Sequence, residues 1–311
     1  MNKKIVFFGG KGGVGKSTSA SAFALTLARQ GKRTLLVSTD PAHNVGDIFH
    51  KKLTGKPKTL TDNLWAVEID PDEETKRYLD VVKKNLKGLV KSKMIEEVHR
   101  QIDLAAGSPG ADEAALFDRL VSIILDEKDA YDTIVFDTAP TGHTIRLLTL
   151  PELMGAWIDG MLKRRESMNE NYSEWMGDGE PIEDPIYDIL HKRKERFAAV
   201  RKVLLDDQQS EYVFVLNPER LPIVETEKAV ETLRKHDIHV RTLVVNKLLP
   251  KGEASSFFQK RIEQEKEYLR WIEDTFKQEK ILIPLLDGDV SSLEALHQIS
   301  EKMEKELYVE K

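Results

Sequence analysis

The feature that most constrains the fold of this chain is a glycine-rich segment near its start, GGKGGVGKST at residues 9–18. A short apolar run, KIVFF, leads into this segment. A stretch of helical period, VGKSTSASAFALTLARQ, follows it and ends at Gly31, a candidate left-handed helix cap. A strand, a glycine turn and a helix in that order form the first half of a βαβ unit. We therefore expect the rest of the chain to build a parallel sheet flanked by helices.

Short runs of β-branched and aromatic residues alternate with longer helical segments along the whole chain. Several of the runs are apolar on both faces, which is typical of buried parallel strands. The predicted strands are 3–8, 33–39, 64–69, 132–137, 212–217, 240–246 and 280–286. Further helices are predicted near 222–236, 254–279 and 291–308. This pattern predicts an α/β fold with a mostly parallel central sheet flanked by helices.

Two stretches, at about 72–128 and 142–206, are too long for simple crossovers between strands and are mostly helical in pattern. We interpret them as insertions that form a helical subdomain within a single domain spanning 1–311. Inside the second stretch, the acidic segment 177–185 contains two prolines and two glycines and is predicted to be a loop.

Composition excludes several classes of function. The chain has 311 residues and no cysteine, so disulfides, thiolate metal sites and cysteine nucleophiles are excluded. A net charge of -6, without a dense run of lysine and arginine, argues against a nucleic-acid partner. No apolar run is long enough to span a membrane, and the first residues do not resemble a signal peptide. We expect a cytoplasmic protein.

The glycine-rich segment matches the spacing of a phosphate-binding loop, with Gly10, four residues, and then Gly15, Lys16 and Ser17. Backbone N–H groups of such a loop surround phosphates, and glycines allow the close approach. Lys16 is then expected to contact the β and γ phosphates of ATP, and the Ser17 hydroxyl to bind Mg²⁺. The alternative is a plain glycine turn with exposed lysines.

Two acidic segments follow predicted strands. Asp137 ends the run DTIVFD, at the edge of the sheet where α/β proteins bind ligands, and is expected to hold Mg²⁺. Asp40 lies in STDPAHN and precedes a proline, which favours an extended backbone. Its carboxylate is expected to orient the water that attacks the γ-phosphate, with His43 and Asn44 nearby. The alternatives are a helix cap for Asp137 and an ordinary turn for the segment around Asp40.

Three segments, KGGVGKST, STDPAHN and DTAPTGHTIRLLTLP, together resemble the P-loop ATPases that comprise the arsenical-pump driving subunit and the targeting factor for tail-anchored membrane proteins. The resemblance covers nearly the whole chain and includes the later VVNKL and IPLLDGDV. It implies a P-loop NTPase fold and a Mg²⁺-dependent ATPase that works as a homodimer. It also implies a deviant phosphate loop, in which Lys11 reaches the nucleotide of the partner subunit.

The resemblance further implies that Asp40 positions the attacking water and that 137–144 relays the nucleotide state to the helices. The predicted catalytic residues are Lys11, Lys16 and Asp40, and the predicted Mg²⁺ ligands are Ser17 and Asp137. The predicted nucleotide contacts are Gly10, Gly12, Gly13, Val14, Gly15, Lys16, Ser17, Thr18 and Asn44, with Asn246, Pro284 and Leu285 at the adenine.

The helical insertions leave the biological role open. Apolar residues recur at helical spacing on one predicted face, namely Leu153, Met154, Trp157, Ile158, Met161 and Leu162. Such a face suits a hydrophobic transmembrane-segment client or a membrane-protein partner, or it packs against other helices of the insertion. The resemblance also allows an arsenite efflux motor that has lost its cysteine metalloid site, because this chain has no cysteine. The paired cysteines that hold zinc between the subunits of many targeting factors are missing as well. A slow, ATP-switched scaffold protein is a further alternative.

Overall fold

The computed structural model describes residues 3–40, 44–86, 96, 100, 102–103, 110–139, 141–176, 185–250, 256–290 and 292–308. His43 and all but the last residue of the predicted loop 177–185 lie outside these ranges. The chain divides into two compact units. The first comprises Met1–Asp70, Glu127–Arg146 and Leu205–Lys311, and the second comprises Pro71–Asp126 and Leu147–Leu204. The second unit covers much the same ranges as the two predicted insertions, whose functional role stays a prediction.

The first unit contains the central sheet. Its described strands are β1 (Ile5–Gly10), β2 (Thr34–Ser38), β3 (Lys58–Thr61), β4 (Leu64–Glu68), β5 (Thr133–Asp137), β6 (Ser210–Leu216), β7 (Val240–Leu248) and β8 (Glu279–Pro284). Their order across the sheet is β3-β4-β2-β5-β1-β6-β7-β8. Every neighbouring pair is parallel except β3 and β4. The expected α/β fold with a mostly parallel sheet is confirmed.

All seven predicted strands are present, with ends that differ from the prediction by at most two residues. The edge strand β3 was missed, because KTLT has no apolar run and its first two residues are exposed. A short polar edge strand of this kind limits unwanted pairing with another sheet.

The helices that flank and connect the strands follow the alternating pattern of the sequence. The described α-helices are α1 (Lys16–Arg29), α2 (Asn44–Ile48), α3 (Pro71–Leu86), α4 (Ala111–Ser122), α5 (Thr141–Met176), α6 (Pro185–Leu205), α7 (Arg220–Arg234), α8 (Ser256–Thr275) and α9 (Leu293–Tyr308). A π-helical turn, Ile123–Glu127, continues α4. Among the residues that the structure describes, no helix is both long enough and apolar enough to cross a membrane.

The core of the first unit lies on both faces of the sheet. Phe7 of β1 stacks on Phe136 of β5 and on Tyr212 of β6, with ring centroids 4.6 Å and 5.4 Å apart. On α1, the buried Thr26 hydroxyl lies 2.8 Å from the Ser300 hydroxyl of α9, so a hydrogen bond joins these two helices. The central position of β1 fixes the segment that follows it against neighbours on both sides.

The end of α1 agrees with the sequence prediction. Gly31 has a φ of 82°, and its N–H donates to Ala28 O at 3.0 Å. The N–H of Lys32 donates to Leu27 O at 3.2 Å. Gly31 is thus the left-handed residue that ends the helix and starts the turn into β2, as predicted.

The second unit has its own core of helices. Phe117 of α4 packs against Phe197 of α6 with ring centroids 5.0 Å apart. The guanidinium of Arg193 lies 4.9 Å from the ring centre of Tyr78 on α3 and 3.1 Å from Asp118 Oδ1 on α4. These contacts tie three helices of the unit together.

The predicted single apolar face of α5 is wrong as stated. Ile158 and Leu162 are buried, whereas Leu153 and Trp157 are each 60% exposed. Leu153 and Trp157 are four residues apart, and so are Ile158 and Leu162. The first residues of the two pairs, Leu153 and Ile158, are five residues apart. A step of five residues turns an α-helix by more than 90°, so the pairs face different directions.

Candidate active site

Three segments that follow parallel strands converge at one edge of the sheet in the first unit. The order β2-β5-β1 places Asp137, at the end of β5, beside Phe8 of β1 and Ser38 of β2. The glycine-rich loop continues from β1, and Asp40 follows β2. Parallel pairing therefore brings together the loop, Asp40 and Asp137, as predicted from their positions after strands.

The glycine-rich loop requires glycine at particular positions. Gly10, Gly13 and Gly15 all have positive φ angles, of 147°, 83° and 96°. A Cβ atom on Gly10 would lie 2.3 Å from Val215 O, and a Cβ on Gly15 would lie 2.3 Å from Asn246 Nδ2. The backbone of the loop is thus pressed against β6 and β7 where any side chain would clash.

A cavity of about 370 Å³ opens beside the loop, within the size range of small-molecule sites. Its lining includes eight predicted site residues, namely Gly12, Gly13, Gly15, Lys16, Ser17, Thr18, Asp40 and Asn44. Three further lining residues, Asp47, Ile48 and Val290, were not predicted. Asp47 and Ile48 directly continue the segment after Asn44, so extending that segment through α2 would have found them. Gly10 and Val14 are buried residues of the loop and do not line the cavity.

Lys16 carries the positive charge of this cavity. Only 5% of its surface is exposed, and its Nζ donates to Lys11 O at 3.2 Å. Burial lowers the pKa of Lys16, while the carboxylates of Asp137 and Asp40 raise it. The two acidic residues thus favour the ammonium form of a lysine that burial alone would tend to neutralise.

Asp137 is fully buried directly under the loop. In the described part of the chain, neither of its carboxylate oxygens has a hydrogen-bond partner of good geometry. Burial raises the pKa of Asp137 to about 7; the nearby Ser17 hydroxyl and the Lys16 ammonium lower it, and Asp40 and Glu68 raise it. A buried carboxylate without a satisfied hydrogen bond indicates that a positively charged group completes the site.

The donor set fits Mg²⁺. The oxygens of Asp137 and Ser17 are hard ligands of the kind that Mg²⁺ prefers. Within the described ranges, no group of three or more histidine or acidic side chains is arranged to hold a metal ion by itself. An ion held by one carboxylate and one hydroxyl completes its shell with phosphate oxygens and water, which is the usual arrangement for Mg²⁺ at nucleotide sites.

The segments after β2 and β5 are connected to each other and to β1. The N–H of Thr39 donates to Asp137 O at 2.9 Å. The hydroxyl of Thr138 donates to Phe8 O at 2.7 Å and lies 2.6 Å from the hydroxyl of Thr144. Thr39, Asp137 and the start of α5 thus belong to one hydrogen-bonded region, and Asp40 directly follows Thr39.

A third carboxylate supports the segment after Asp40. Glu68, at the end of β4, is buried, and its Oε1 accepts the N–H of Gly46 at 2.7 Å. This bond holds α2, whose residues Asn44, Asp47 and Ile48 line the cavity. The sequence prediction did not include Glu68, although its place at the end of a parallel strand is the same signal that pointed to Asp137.

Lys11 lies outside the lining of the cavity. Its Nζ is 2.6 Å from Oε1 of Glu225 on α7, and the two side chains are 33% and 41% exposed. Ion pairs exposed to this degree contribute only about 0.2–1 kcal/mol to stability. The pair therefore holds Lys11 in one place in this chain but can be exchanged for another partner at low cost.

The residues predicted at the adenine lie farther along the same edge of the sheet. Leu285 lines a second cavity of about 180 Å³, at the ends of β6, β7 and β8, together with Lys247, Leu249 and Tyr268. Asn246 and Pro284 do not line this cavity. The amide of Asn246 instead donates from Nδ2 to Val14 O at 2.8 Å, within the glycine-rich loop.

Comparison with known proteins decides the family. The model of the family described as anion-transporting ATPase matches residues 3–305. The chain belongs to the anion-transporting ATPase family. It is an ATPase, and its match to the family includes the residues that line both cavities and nearly all of both compact units.

Curated relatives cover nearly the full length of this ATPase. A protein of Aquifex aeolicus named putative arsenical pump-driving ATPase 2 is 38% identical over 96% of the chain and 98% of its own length. ATPase ASNA1 homolog 2 of Paramecium tetraurelia is 32% identical over 97% of the chain and 94% of its own length. ATPase GET3 of Eremothecium gossypii is 33% identical over 96% of the chain and 88% of its own length. The expected family resemblance is confirmed.

Proposed function

We propose that this ATPase depends on Mg²⁺ and that ATP closes two copies of the chain into a homodimer, in which Lys11 of each chain enters the phosphate cavity of the other. One observation carries the proposal. Lys16 is the only lysine in the described lining of the cavity, whereas the ammonium group of Lys11, although part of the same loop, is bound by Glu225 outside it. In a deviant phosphate loop of this kind, the ammonium group of Lys11 is the cation that is proposed to reach a second chain.

The residues of the cavity have distinct proposed roles. Lys16 neutralises charge on the β and γ phosphates, and Ser17 and Asp137 would hold Mg²⁺, which neutralises further charge when it is bound. Asp40 accepts a proton from the attacking water as the oxygen of that water bonds to the γ phosphorus. The bond between the γ phosphorus and the bridging oxygen breaks, and ADP and phosphate remain.

Lys11 is proposed to act in trans, in the way that an arginine finger does. A cation that reaches the γ-phosphate from a second chain stabilises negative charge in the transition state only after the two chains have closed. Hydrolysis is thereby restricted to the dimer. The low free energy of the partly exposed pair with Glu225 makes the release of Lys11 compatible with such a step.

The nucleotide state is proposed to reach the helical unit through the segment after β5. Asp137 ends β5, Thr138 and Thr144 bond to each other, and α5 starts at Thr141. The later residues of the same helix, from Leu147, belong to the second unit. A displacement of Asp137 is thus proposed to pass along the chain, through Thr138 and Thr144, into a helix that continues in the second unit.

The helical unit is proposed to bind a hydrophobic client or a membrane-protein partner. Leu153 and Trp157 are spaced by four residues on α5 and are each 60% exposed, and Val81 on α3 is 51% exposed. Two large apolar side chains that are exposed one helical turn apart, such as Leu153 and Trp157, suit a surface that another apolar partner covers. A transmembrane-segment peptide is a suitable probe for such a surface.

A second candidate is a motor for arsenical export, which the name of the Aquifex aeolicus relative favours. Trivalent arsenic prefers thiolate ligands, and this chain has no cysteine. We therefore expect the ATPase rate to be unchanged by arsenite and to change when a transmembrane-segment peptide is added. Stimulation by arsenite, with no effect of the peptide, would favour the export motor.

A complementation experiment tests the proposed dimer. Lys11→Ala is expected to keep its ATP affinity but to lose hydrolysis by about 10³-fold or more, and Asp40→Asn is expected to bind ATP without hydrolysing it. In a mixed dimer, the Lys11→Ala chain keeps its own Asp40 and receives Lys11 from the other chain. Mixing equal amounts should restore about a quarter of the native rate, since half of the dimers are mixed and each has one complete site.

No recovery in the mixture would place the action of Lys11 within its own chain and contradict the proposal. Lys235→Ala serves as the control, because Lys235 is an exposed lysine directly after α7 whose only ion pair in the described structure is with Glu231 of that helix. Sedimentation with ATP, with ADP and without nucleotide shows which state closes the dimer.

A further inference from the structure

We propose that Asn246 and Lys247 are positioning residues that hold the phosphate loop in its binding shape. The proposal deepens the assignment of the loop as the phosphate site, and it rests on that part of the proposed function. Two hydrogen bonds carry it: Asn246 Nδ2 donates to Val14 O at 2.8 Å, and Lys247 Nζ donates to Gly13 O at 3.0 Å. Two consecutive residues of β7 thus bind two consecutive carbonyl groups of the loop.

An irregularity at the end of β7 makes both contacts possible. Val245 pairs with Leu282 of β8, but the next paired residue, Leu248, lies opposite Pro284. Three residues of β7 therefore span the distance of two residues of β8, and the extra residue forms a bulge. Bulges are frequent beside active sites, where they redirect side chains.

The backbone of Lys247 supports the same conclusion. Its φ is 60°, in the left-handed region that non-glycine residues rarely adopt. Such a conformation costs free energy and persists only where surrounding contacts stabilise it. Asn246 and Lys247 would alternate to opposite faces in a regular strand, but here both side chains contact the phosphate loop.

The two contacts set the direction of the peptide groups in the loop. In a trans peptide unit the C=O and the N–H point in opposite directions. Holding the carbonyl groups of Gly13 and Val14 toward β7 turns the N–H groups of Val14 and Gly15 away from β7. Gly13 and Gly15 line the cavity, and successive N–H groups that point the same way form an anion-binding nest.

Lys247 gives the cleaner test of this role. Its side chain is exposed, so removing the amine does not leave a cavity in the core. Asparagine tolerates the left-handed conformation, and Lys247→Asn therefore removes the amine without adding backbone strain. Lys247→Arg keeps a cationic donor, and Lys235→Asn controls for the loss of an exposed lysine elsewhere.

Binding of inorganic tripolyphosphate with Mg²⁺ is the decisive measurement, because this probe has no base or ribose. Lys247→Asn should bind tripolyphosphate and ATP about tenfold more weakly than the native chain, a loss in the range expected for one charge-assisted hydrogen bond. The melting temperature of the nucleotide-free protein should stay unchanged, and Lys247→Arg should recover most of the affinity.

Other outcomes overturn the proposal in distinguishable ways. If Lys247→Asn weakens ATP but not tripolyphosphate, Lys247 contacts the base or ribose rather than positioning the loop. If the melting temperature falls along with both affinities, the role is structural. If the native chain does not bind tripolyphosphate in competition with ATP, the assignment of the loop as the phosphate site fails as well.

Discussion

Lys11 Nζ lies 2.6 Å from Glu225 Oε1 of the same chain, although 214 residues separate the two positions. Glu225 is therefore the competitor that any second binding partner of Lys11 must displace. In the proposed dimer that partner is the nucleotide of the other chain. The strength of the pair between Lys11 and Glu225 then helps to set how readily ATP closes the dimer.

Glu225→Gln should make the dimer easier to form. Without the carboxylate, Lys11 is no longer held in its own chain, so the protein concentration for half-maximal ATP-dependent dimerisation should fall by about two- to fivefold, as expected for a partly exposed pair. Sedimentation measures this shift. Glu227→Gln, an exposed glutamate on the same helix, is the control. Weaker dimerisation of Glu225→Gln would show that Glu225 supports the closed state instead.

Asp40→Asn should abolish hydrolysis and spare ATP binding. The amide cannot accept the proton of the attacking water, so the turnover rate should fall by about 10²-fold or more. A turnover assay with ATP-binding titration checks both expectations. Asp47→Asn is the matched control, since Asp47 is an exposed acidic residue that lines the same cavity, and it should lower the rate far less. Normal turnover in Asp40→Asn would remove Asp40 from the mechanism.

Asp137→Asn should stabilise the nucleotide-free protein increasingly as the pH rises. Burial raises the pKa of Asp137 from 3.8 to about 7, so its favourable contribution to folding is complete below pH 4 and is lost as the pH rises toward 7. The asparagine variant does not suffer this loss. Its advantage in free energy of unfolding should grow by about 2–3 kcal/mol between pH 5 and pH 8.

Urea unfolding of both proteins without Mg²⁺ measures this difference at each pH. Taking the difference between the two proteins cancels the titration of all other groups that they share. An advantage that stays constant with pH would mean that Asp137 is ionised in the folded state throughout this range.

Gly15→Ala should destabilise the nucleotide-free protein more than Gly13→Ala. Both positions have positive φ angles, so each alanine should cost about 1 kcal/mol for its backbone conformation. Only at Gly15 would the Cβ also meet Asn246 Nδ2, at 2.3 Å, whereas Gly13 has open space. Thermal unfolding should show the difference. The loss of stability caused by Gly15→Ala should be smaller when it is measured in a chain that already carries Asn246→Ala. Equal destabilisation by the two alanines would show that Asn246 moves aside freely.

The prediction of the fold from the sequence succeeded where the signal is local. The apolar runs that form β1, β2 and β5 are buried on both faces, so their composition alone identifies them. The polar strand β3 carries no such signal and was missed. On α5, helical spacing identified the apolar residues, but not that Leu153 and Trp157 lie exposed while Ile158 and Leu162 are buried.

The sequence by itself determined most of the sheet, the place of the glycine-rich loop after β1 and the positions of Asp40 and Asp137 after parallel strands. These features follow from the order of residues along short segments, because a strand that ends in a parallel sheet delivers the next residue to a known edge. Only the tertiary structure decided that Lys11 is bound by Glu225 and that Asn246 and Lys247 bind the loop. Those contacts join residues more than 200 positions apart and depend on packing and on a one-residue bulge, which no local pattern encodes.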